Sequence, residues 1–180
     1  IDQLKQTILQ LAVMGKLVPQ DPNDEPASVL LEKIVAEKER LIKEGKIKKQ
    51  KPLPEITEEE KPFELPEGWE WCRFASLSNE IATGPFGSMI HKRDYIKAGV
   101  PLINPSHMIN SKIVEDESVT ISSEKAHELR SYELFDGDIV MARRGEMGRC
   151  ALVTKRESGW LCGTGSFILR FHHDLSREFV

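Results

Sequence analysis

The sequence lacks any apolar run near the roughly 18 residues that a membrane-spanning helix requires. Residues 1–18 are interrupted by Asp2, Lys5 and Lys16, so we do not expect a secretory signal peptide there. An excess of basic charge is also missing, because 25 Lys and Arg stand against 29 Asp and Glu for a formal net charge of −4. That balance argues against a uniformly basic nucleic-acid coat of the histone type, but it allows one local basic patch.

Cysteine is scarce as well. Cys72, Cys150 and Cys162 are far apart, odd in number and without a Cys-x-x-Cys pair, which predicts reduced thiols in a cytoplasmic protein and no structural zinc. The chain does have 180 residues, 39% of them hydrophobic, which is enough for one domain with a core, or one domain plus a helical appendage. Because it starts at Ile1 without Met and stops at Val180 without a turn signal, we expect it to be a piece of a longer protein.

Residues 1–45 have the apolar periodicity of two helices. The first is followed by Gly15 as a stop signal, and the second begins near Pro26 and can end at Gly45. The apolar stripe of the first helix consists of Leu4, Ile8 and Leu11, with Leu9 and Val13 beside it. We predict a helical hairpin that packs on itself or on a partner.

The rest of the chain divides into a linker and a β-rich part. Residues 46–66 join a basic run to an acidic stretch with four prolines, which predicts an extended linker. Beyond it, one helix is indicated near 123–132, and short apolar runs are separated by Gly or Pro. These runs are 71–77, 100–103, 139–142, 150–153 and 167–171. We therefore predict an α+β fold, a helical hairpin followed by a β-rich domain with a curved, irregular sheet and few helices.

Two stretches combine glycine turns with cationic side chains. In the first, residues 82–93, two glycines flank a Pro-Phe pair and a basic cluster follows. Such a loop offers a DNA backbone positive charge, a hydroxyl and backbone amides. Its candidate DNA contacts are Phe86, Gly87, Ser88, His91, Lys92 and Arg93. The alternative is that Phe86 fills the core and the basic triplet is merely exposed.

The second stretch, residues 135–153, is predicted to be a strand, a glycine-punctuated loop and a returning strand. The planar fork of arginine matches a phosphate or the O6/N7 edge of guanine. The candidates in this loop are Arg143, Arg144, Gly145 and Arg149, and those after the apolar run 100–103 are Asn104, Ser106 and His107. A solvated hairpin tip with one internal salt bridge is the alternative.

Apparent enzyme motifs have weak support. Asn104-Pro105-Ser106-His107 resembles the Asn-Pro-Pro-aromatic tetrapeptide of amino-methyltransferases, but its last two positions differ. Residues 163–165, Gly-Thr-Gly, are too short for a dinucleotide fingerprint, and Glu59-Glu60-Lys61 lies where no rigid scaffold could fix Mg²⁺. His172-His173-Asp174 could bind a metal, but adjacent histidines on a strand point to opposite faces, so a polar strand end is the favoured interpretation.

Five landmarks follow one another along nearly the whole chain. They are residues 11–27, Leu65-Pro66-Glu67-Gly68-Trp69-Glu70-Trp71, Gly84-Pro85-Phe86-Gly87-Ser88, Gly99-Val100-Pro101-Leu102-Ile103, and Gly137-Asp138-Ile139 with Arg144-Gly145 and Gly148. In this order they resemble the specificity (S) subunit of type I restriction-modification systems, from its N-terminal helices through its first target-recognition domain. Several ordered motifs are a specific signal, whereas any one of them alone is weak.

The resemblance implies a non-catalytic subunit that reads one half of a bipartite target in double-stranded DNA. It implies methyltransferase (modification) subunits and motor-nuclease (restriction) subunits as partners, which hold S-adenosylmethionine, ATP and Mg²⁺, so that this chain needs no cofactor or metal. Residues 1–45 are then a helical segment, 46–66 a linker and 67–180 the target-recognition domain, which we expect to be cut off before the central helix. A stand-alone DNA methyltransferase or nuclease, and a helical protein-interaction module, are the alternatives.

The charge distribution agrees with this interpretation. Residues 84–110 carry three Lys or Arg against one Asp, and residues 140–160 carry five against two Glu. The acidic residues concentrate in 52–70 and 111–138. Both loops proposed for DNA are therefore locally positive within an acidic chain.

Overall fold

The chain forms two compact units, Ile1–Leu77 and Ser78–Val180. They are described from a computed structural model that covers residues 2–145, 148–177 and 179–180. Across those ranges, no helix is both long enough and apolar enough to cross a membrane. The predicted functional boundaries, at residues 45/46 and 66/67, stay predictions.

The first unit contains the two predicted helices, α1 (Asp2–Val13) and α2 (Ala27–Lys43). Gly15 has φ +66°, and the N–H groups of residues 15 and 16 bond back to the carbonyls of residues 12 and 11. Gly45, with φ +69°, repeats this pattern at the end of α2. Both are Schellman endings, in which a left-handed residue lets the chain satisfy the last helical carbonyls, so the two predicted stop signals are confirmed.

Helix α1 keeps its apolar stripe in solvent. None of its described residues is buried, and Leu4, Leu9 and Val13 are well exposed. Helix α2, by contrast, buries Ile34. Self-packing through the α1 stripe is therefore not what the structure shows, while packing of α1 on a partner stays a prediction.

The loop after α1 contacts the segment at 66–69. The side chain of Gln20 donates from Nε2 to the Gly15 carbonyl at 2.7 Å and accepts from Trp69 Nε1 at 2.9 Å. A Cβ on Gly15 would come within 2.6 Å of Pro66 Cγ. The first two landmarks of the resemblance therefore contact each other within this unit.

The predicted linker is held by Arg73. The Arg73 guanidinium donates to the carbonyls of Pro54 and Glu55 at 3.1 and 2.8 Å, and to both carboxylate oxygens of Glu60 at 2.6 and 2.8 Å. The Thr57 N–H also donates to Glu60, at 3.0 Å. These bonds, that of Arg73 above all, lower the pKa of Glu60 to about 2. The segment is thus fixed to its own unit at this point.

We expect Arg73→Ala to raise the pKa of Glu60 from about 2 toward its ordinary value of 4.5. Because the folded-state pKa lies below the unfolded one, this pair stabilises the native state above about pH 4.5 and loses that contribution as pH falls toward 2. Carboxyl titration by NMR measures the pKa, and urea denaturation at neutral and acidic pH measures the linkage. Equal acid sensitivity in wild type and variant would contradict the assignment.

The second unit is built mainly of strands. In chain order they are β1 (Ser78–Thr83), β2 (Tyr95–Ile96), β3 (Val100–Ile103), β4 (Met108–Ile109), β5 (Lys112–Ile113), β6 (Thr120–Ile121), β7 (Ile139–Ala142), β8 (Cys150–Leu152), β9 (Leu161–Cys162) and β10 (Ser166–Phe171). Sheet A has the order β1-β10-β7-β8 and is antiparallel throughout. Sheet B has the order β2-β6-β3-β9, with β3 and β9 parallel, and β4 pairs with β5. The α+β class is as predicted.

The helices that follow α2 are short. Helix α3 (Phe74–Leu77) closes the first unit, and the predicted helix near 123–132 is present as α4 (Ser123–Glu128) followed by a 3-10 turn. The apolar run 71–77 therefore ends in a helical turn and is not a strand. The Ser76 N–H and hydroxyl both bond to the Arg73 carbonyl, which closes that turn.

Along β3 and β9, neighbouring residues belong alternately to two buried hydrophobic clusters. Ile103 and Cys162 belong to one buried cluster with Val140 and Ile168, whereas Leu102 and Leu161 belong to a second. Neighbouring residues of a strand point to opposite faces, so these two strands separate the clusters. Burying each large aliphatic side chain contributes about 1.5–3 kcal/mol, which fixes the strands that carry the loops described below.

At one end of sheet A, Arg170 is enclosed by acceptors. Its Nε lies 3.0 and 3.1 Å from the two oxygens of Asp138, its Nη1 donates to Glu80 at 2.6 Å, and its Nη2 donates to the Glu133 carbonyl. The guanidinium also lies 4.7 Å from the ring centroid of Phe135. Burial raises the pKa of Asp138, and the bonds from Arg170 oppose that rise. The charge of Arg170 is therefore balanced within this end of the sheet.

Candidate nucleic-acid interface

Strand register brings several loops to one end of the two sheets. In sheet A, the last residue of β1, Thr83, pairs with Phe167 near the start of β10. The first residue of β10, Ser166, pairs with Ala142 at the end of β7. In sheet B, the parallel strands β3 and β9 finish side by side at Ile103 and Cys162. The segments that adjoin these strand ends therefore meet. They are residues 84–88, 104–107, 143–145 with 148–149, and 163–165.

Residues 163–165, Gly-Thr-Gly, are where these segments touch, and we call them the glycine bridge. A Cβ on Gly84 would lie 2.0 Å from the Gly163 carbonyl oxygen, and a Cβ on Gly163 would lie 2.2 Å from Asn104 Oδ1. A Cβ on Gly165 would lie 2.9 Å from Pro105 Cδ. The segments approach at distances that only glycine permits, so the glycine bridge sets how the loops sit relative to one another.

Arg143 binds the glycine bridge. Its backbone N–H donates to the Gly165 carbonyl at 2.8 Å, and its Nη2 donates to the Thr164 carbonyl at 3.1 Å. Its Nε is buried and has no hydrogen-bond partner among the described residues. Residues 143–145 with 148–149 form the arginine loop. Arg143 therefore holds this loop against the glycine bridge, and part of its hydrogen-bonding capacity is already used.

Arg149 connects the same loop to the segment after β3. Its Nη1 donates to the Pro105 carbonyl at 3.2 Å, and its own carbonyl accepts from the Ala142 N–H at 2.8 Å. The side chain is half-buried. Like Arg143, this arginine helps to build the site.

Arg144 is the exposed arginine of the three. Within the described ranges its side chain forms no hydrogen bond or ion pair, and Gly145 beside it is exposed with φ +79°. Glu146 and Met147, which follow in the sequence, lie outside the described residues. Arg144 therefore keeps its whole guanidinium fork available for a ligand.

The 104–107 segment is a tight turn built by His107. That side chain is only 6% exposed, its Nδ1 accepts the Asn104 N–H at 3.3 Å, and its Nε2 lies 3.8 Å from Asp116 Oδ2. Asn104 is half-buried against the glycine bridge, whereas Ser106 is exposed. His107 is therefore placed to hold the turn rather than to read a base edge, and Ser106 is the accessible residue.

Phe86 does not fill the core, so that alternative is wrong. Its side chain is 57% exposed, while Pro85 before it is buried. Gly87 and Ser88 are exposed as well, and Gly87 has φ +63°. The buried proline takes the packing position, which leaves the phenyl ring in solvent.

The basic triplet 91–93 is exposed but lies elsewhere. Tyr95, just after it, pairs with Ile121, which also pairs with Val100 at the start of β3. The triplet thus leads into the end of sheet B opposite to Asn104. Within the described chain, no hydrogen bond or ion pair joins it to the glycine bridge, so any DNA contact it makes is separate from the arginine loop.

His172, His173 and Asp174 place three possible metal ligands within 4.8 Å of one another. The two imidazole rings have centroids 4.2 Å apart and are tilted by 35°, so the expectation that they point to opposite faces is wrong. The reason is that β10 ends at Phe171, before both histidines. His172 Nδ1 already accepts the Asp174 N–H at 3.2 Å, and the cluster lies at the end of β10 away from the glycine bridge.

The glycine bridge is the functional feature that motif reasoning misses. Gly-Thr-Gly matches no binding fingerprint, and its role comes from segments far away in sequence. The local signal available is a pair of glycines directly after the short apolar strand β9, where an isolated glycine marks close approach of another backbone.

No family model matches the chain. Among curated proteins, it is 51% identical over 142 residues to the specificity subunit of the type I restriction enzyme EcoAI from Escherichia coli, covering 79% of this chain and 23% of that protein. It is 43% identical over 186 residues to the EcoEI specificity subunit from the same species, covering 100% of this chain and 31% of that protein. The chain therefore spans about a quarter to a third of the length of these relatives.

Two solved structures are similar at low identity. The HsdS subunit from Thermoanaerobacter tengcongensis gives a TM-score of 0.48 at 15% identity, over 99% of this chain and 37% of that one. A chain from a structure of type I R-M system assembly gives 0.49 at 14% identity, over 98% and 36%. The relationship to known proteins rests on the two sequence identities above.

Proposed function

We propose that this chain, which belongs to the family of type I restriction enzyme specificity subunits, reads one half of a bipartite sequence in double-stranded DNA. One observation carries the proposal: three loops are pinned at the glycine bridge, and exposed side chains extend from them. Those side chains are Phe86, Ser88, Ser106 and Arg144. Base readout needs donors and apolar groups in fixed positions, and a rigid base supplies them.

The distribution of charged side chains also favours DNA binding at the glycine-bridge end of the second unit. Arg144 has no partner within the described ranges, whereas Arg170 at the opposite end of sheet A is balanced by Glu80 and Asp138. A polyanion is therefore attracted to the glycine-bridge end. The exposed triplet 91–93 can add phosphate contacts from a second position.

In this proposal the chain is the non-catalytic reader of a larger assembly. Methyltransferase subunits dock on it, motor-nuclease subunits join them, and S-adenosylmethionine, ATP and Mg²⁺ are bound by those partners. The exposed apolar stripe of α1 suits a protein partner. A stand-alone enzyme or an isolated interaction module is not favoured, because both curated relatives are named specificity subunits.

The cytoplasm is the location that fits this function. Cys72, Cys150 and Cys162 are free thiols, a state that persists in a reducing compartment. DNA and the proposed partner subunits are also found there.

We expect Arg144→Ala to weaken binding to the cognate duplex about fivefold to 150-fold, because a good bidentate base contact contributes roughly 1–3 kcal/mol. The complete gene product that contains this chain is assembled with its modification subunits, and a cognate duplex is selected from a random pool with the wild-type complex. Fluorescence anisotropy then compares cognate and scrambled duplexes. A larger loss on the cognate duplex identifies base readout, and equal losses identify a phosphate contact.

Arg156→Ala is the matched control. Arg156 is exposed, lies beyond the other end of β8, and pairs with Glu115 and Glu157, so its removal should leave DNA affinity unchanged. Unchanged affinity of Arg144→Ala for both duplexes would refute the role of Arg144. A wild-type complex that selects no sequence would refute the proposed function itself.

A further inference from the structure

The loop at 84–90 is anchored at both ends and exposed in the middle. Its first residue packs on the glycine bridge, and Pro85 and Ile90 are buried. Near its far end, the Tyr132 hydroxyl donates to Met89 Sδ at 3.4 Å. Residues 86–88 are left exposed between these anchors, so the loop presents a short tip on a fixed base.

Packing within the chain does not explain why a phenylalanine occupies position 86 at this tip. Its backbone is extended, with φ −143° and ψ 167°, and Gly87 makes the turn that follows. The buried anchors are Pro85 and Ile90, so the loop does not need the phenyl ring to hold its shape. A ring on a rigid mount loses little conformational entropy when it binds a ligand.

The setting of the ring favours DNA over a protein surface. Protein interfaces bury an apolar core of several residues. Phe86 is followed by Gly87 and Ser88, its nearest exposed apolar neighbour in the loop, Met89, is 38% exposed and bonded to Tyr132, and Arg144 lies at the same glycine-bridge end. On DNA, the apolar surface that suits a phenyl ring is the face of a base, reached by unstacking a base step. Phosphates and sugar edges would use the neighbouring hydroxyl and guanidinium groups instead.

We propose that Phe86 is an apolar wedge that stacks on a base of the half-site read by this chain, with Arg144 holding the DNA beside it. This inference rests on the proposed function and adds a residue that acts through base stacking rather than hydrogen bonding. It predicts that binding unstacks one base step, so part of the sequence preference comes from how easily that step deforms.

The experiment uses the assembled complex and the selected cognate duplex, with 2-aminopurine replacing each adenine of the target in turn. Unstacking next to the probe raises its fluorescence. The modification subunits extrude their own target base, so we expect the wild-type complex to raise the signal at that base and at one further step. Phe86→Ala should abolish only the rise at the further step at saturating protein. The affinity of Phe86→Ala should fall about fivefold to 150-fold, the range for one stacked base, while Phe86→Trp should retain it.

The outcomes separate the wedge from the proposed function. If Phe86→Ala gives the same signal and affinity as wild type, the wedge is refuted and DNA reading stands. If Phe86→Ala assembles less completely with the modification subunits, but the complexes that do form bind DNA normally, the ring is a protein contact and the wedge is again refuted. Arg144→Ala should weaken binding yet keep the fluorescence rise at saturation, which distinguishes the two side chains.

Discussion

Replacing Arg170 with methionine is expected to lower the free energy of unfolding by about 3–5 kcal/mol. Methionine keeps most of the apolar stem, but it leaves the Asp138 carboxylate, only 4% exposed, without the guanidinium that donates at 3.0 and 3.1 Å. Glu80 loses its 2.6 Å partner at the same time. The cost is large because a buried charge is left desolvated and unpaired. Chemical denaturation at neutral pH measures the difference.

Arg156→Met provides the control for that experiment. Arg156 is also paired with carboxylates, but it is exposed, so its loss should cost no more than about 0.5 kcal/mol. Adding Asp138→Asn to Arg170→Met should recover part of the stability, because the amide removes the unpaired charge. A single Arg170→Met variant as stable as the control would show that this network does not hold the end of sheet A.

Gly84→Ala is expected to cost about 3 kcal/mol and to reduce DNA binding even in the molecules that fold. Its Cβ would lie 2.0 Å from the Gly163 carbonyl oxygen and 2.7 Å from the carbonyl carbon. These are backbone atoms and cannot rotate away, so the two segments must separate, and overpacking of this kind costs about 1–3 kcal/mol and sometimes more. Because the same contact anchors the 84–90 loop, its displacement moves the tip that is proposed to face DNA. Thermal and chemical denaturation measure the first effect, and anisotropy in the assembled complex measures the second.

Gly159→Ala separates steric overlap from backbone strain. Gly159 has φ +91° with open space around its Cβ position, so alanine there meets only the strain of a left-handed backbone, about 1 kcal/mol or somewhat more. DNA affinity should be unaffected in this variant. If Gly84→Ala and Gly159→Ala lose the same stability, steric overlap at the glycine bridge is not what destabilises Gly84→Ala.

Local signals predict the helix ends well. Gly15 and Gly45 end their helices because the left-handed conformation they adopt is available to glycine at no steric cost. Strands β3, β7, β8 and β10 follow from apolar runs in the same way, because each run is short and bounded by turn residues. Where the stabilising contacts lie within a few residues, the sequence is sufficient.

Strands that form because of partners distant in the sequence cannot be predicted from local signals. Strand β1 has the sequence Ser-Asn-Glu-Ile-Ala-Thr, which shows no apolar run, and it is a strand because it pairs with β10. Strand formation depends on cross-strand packing more than on intrinsic preference. The apolar run 71–77, in contrast, has strand-like composition but ends in a helical turn.

The candidate site shows the same division. The residue types predict that arginine, serine and an aromatic ring are available for DNA. Phe86, Ser88, Ser106 and Arg144 are exposed on loops, and their contact with DNA stays a prediction. Which arginine is free could not be predicted, because Arg143 and Arg149 are bound to Thr164 and Pro105 through the folded chain. The burial of His107 likewise depends on a turn closed by its own imidazole.

The separation between anchored loop bases and exposed tips bears on how target preference can change over evolutionary time. Substitutions at Phe86, Ser88 or Arg144 remove no buried contact. They should therefore change the stability of the fold little, whereas most mutations lower it. Gly84 and Gly163 have no such freedom, because any side chain collides with a neighbouring segment. In the proposed function, new DNA preferences can therefore arise from one or two substitutions at the tips while the scaffold stays the same.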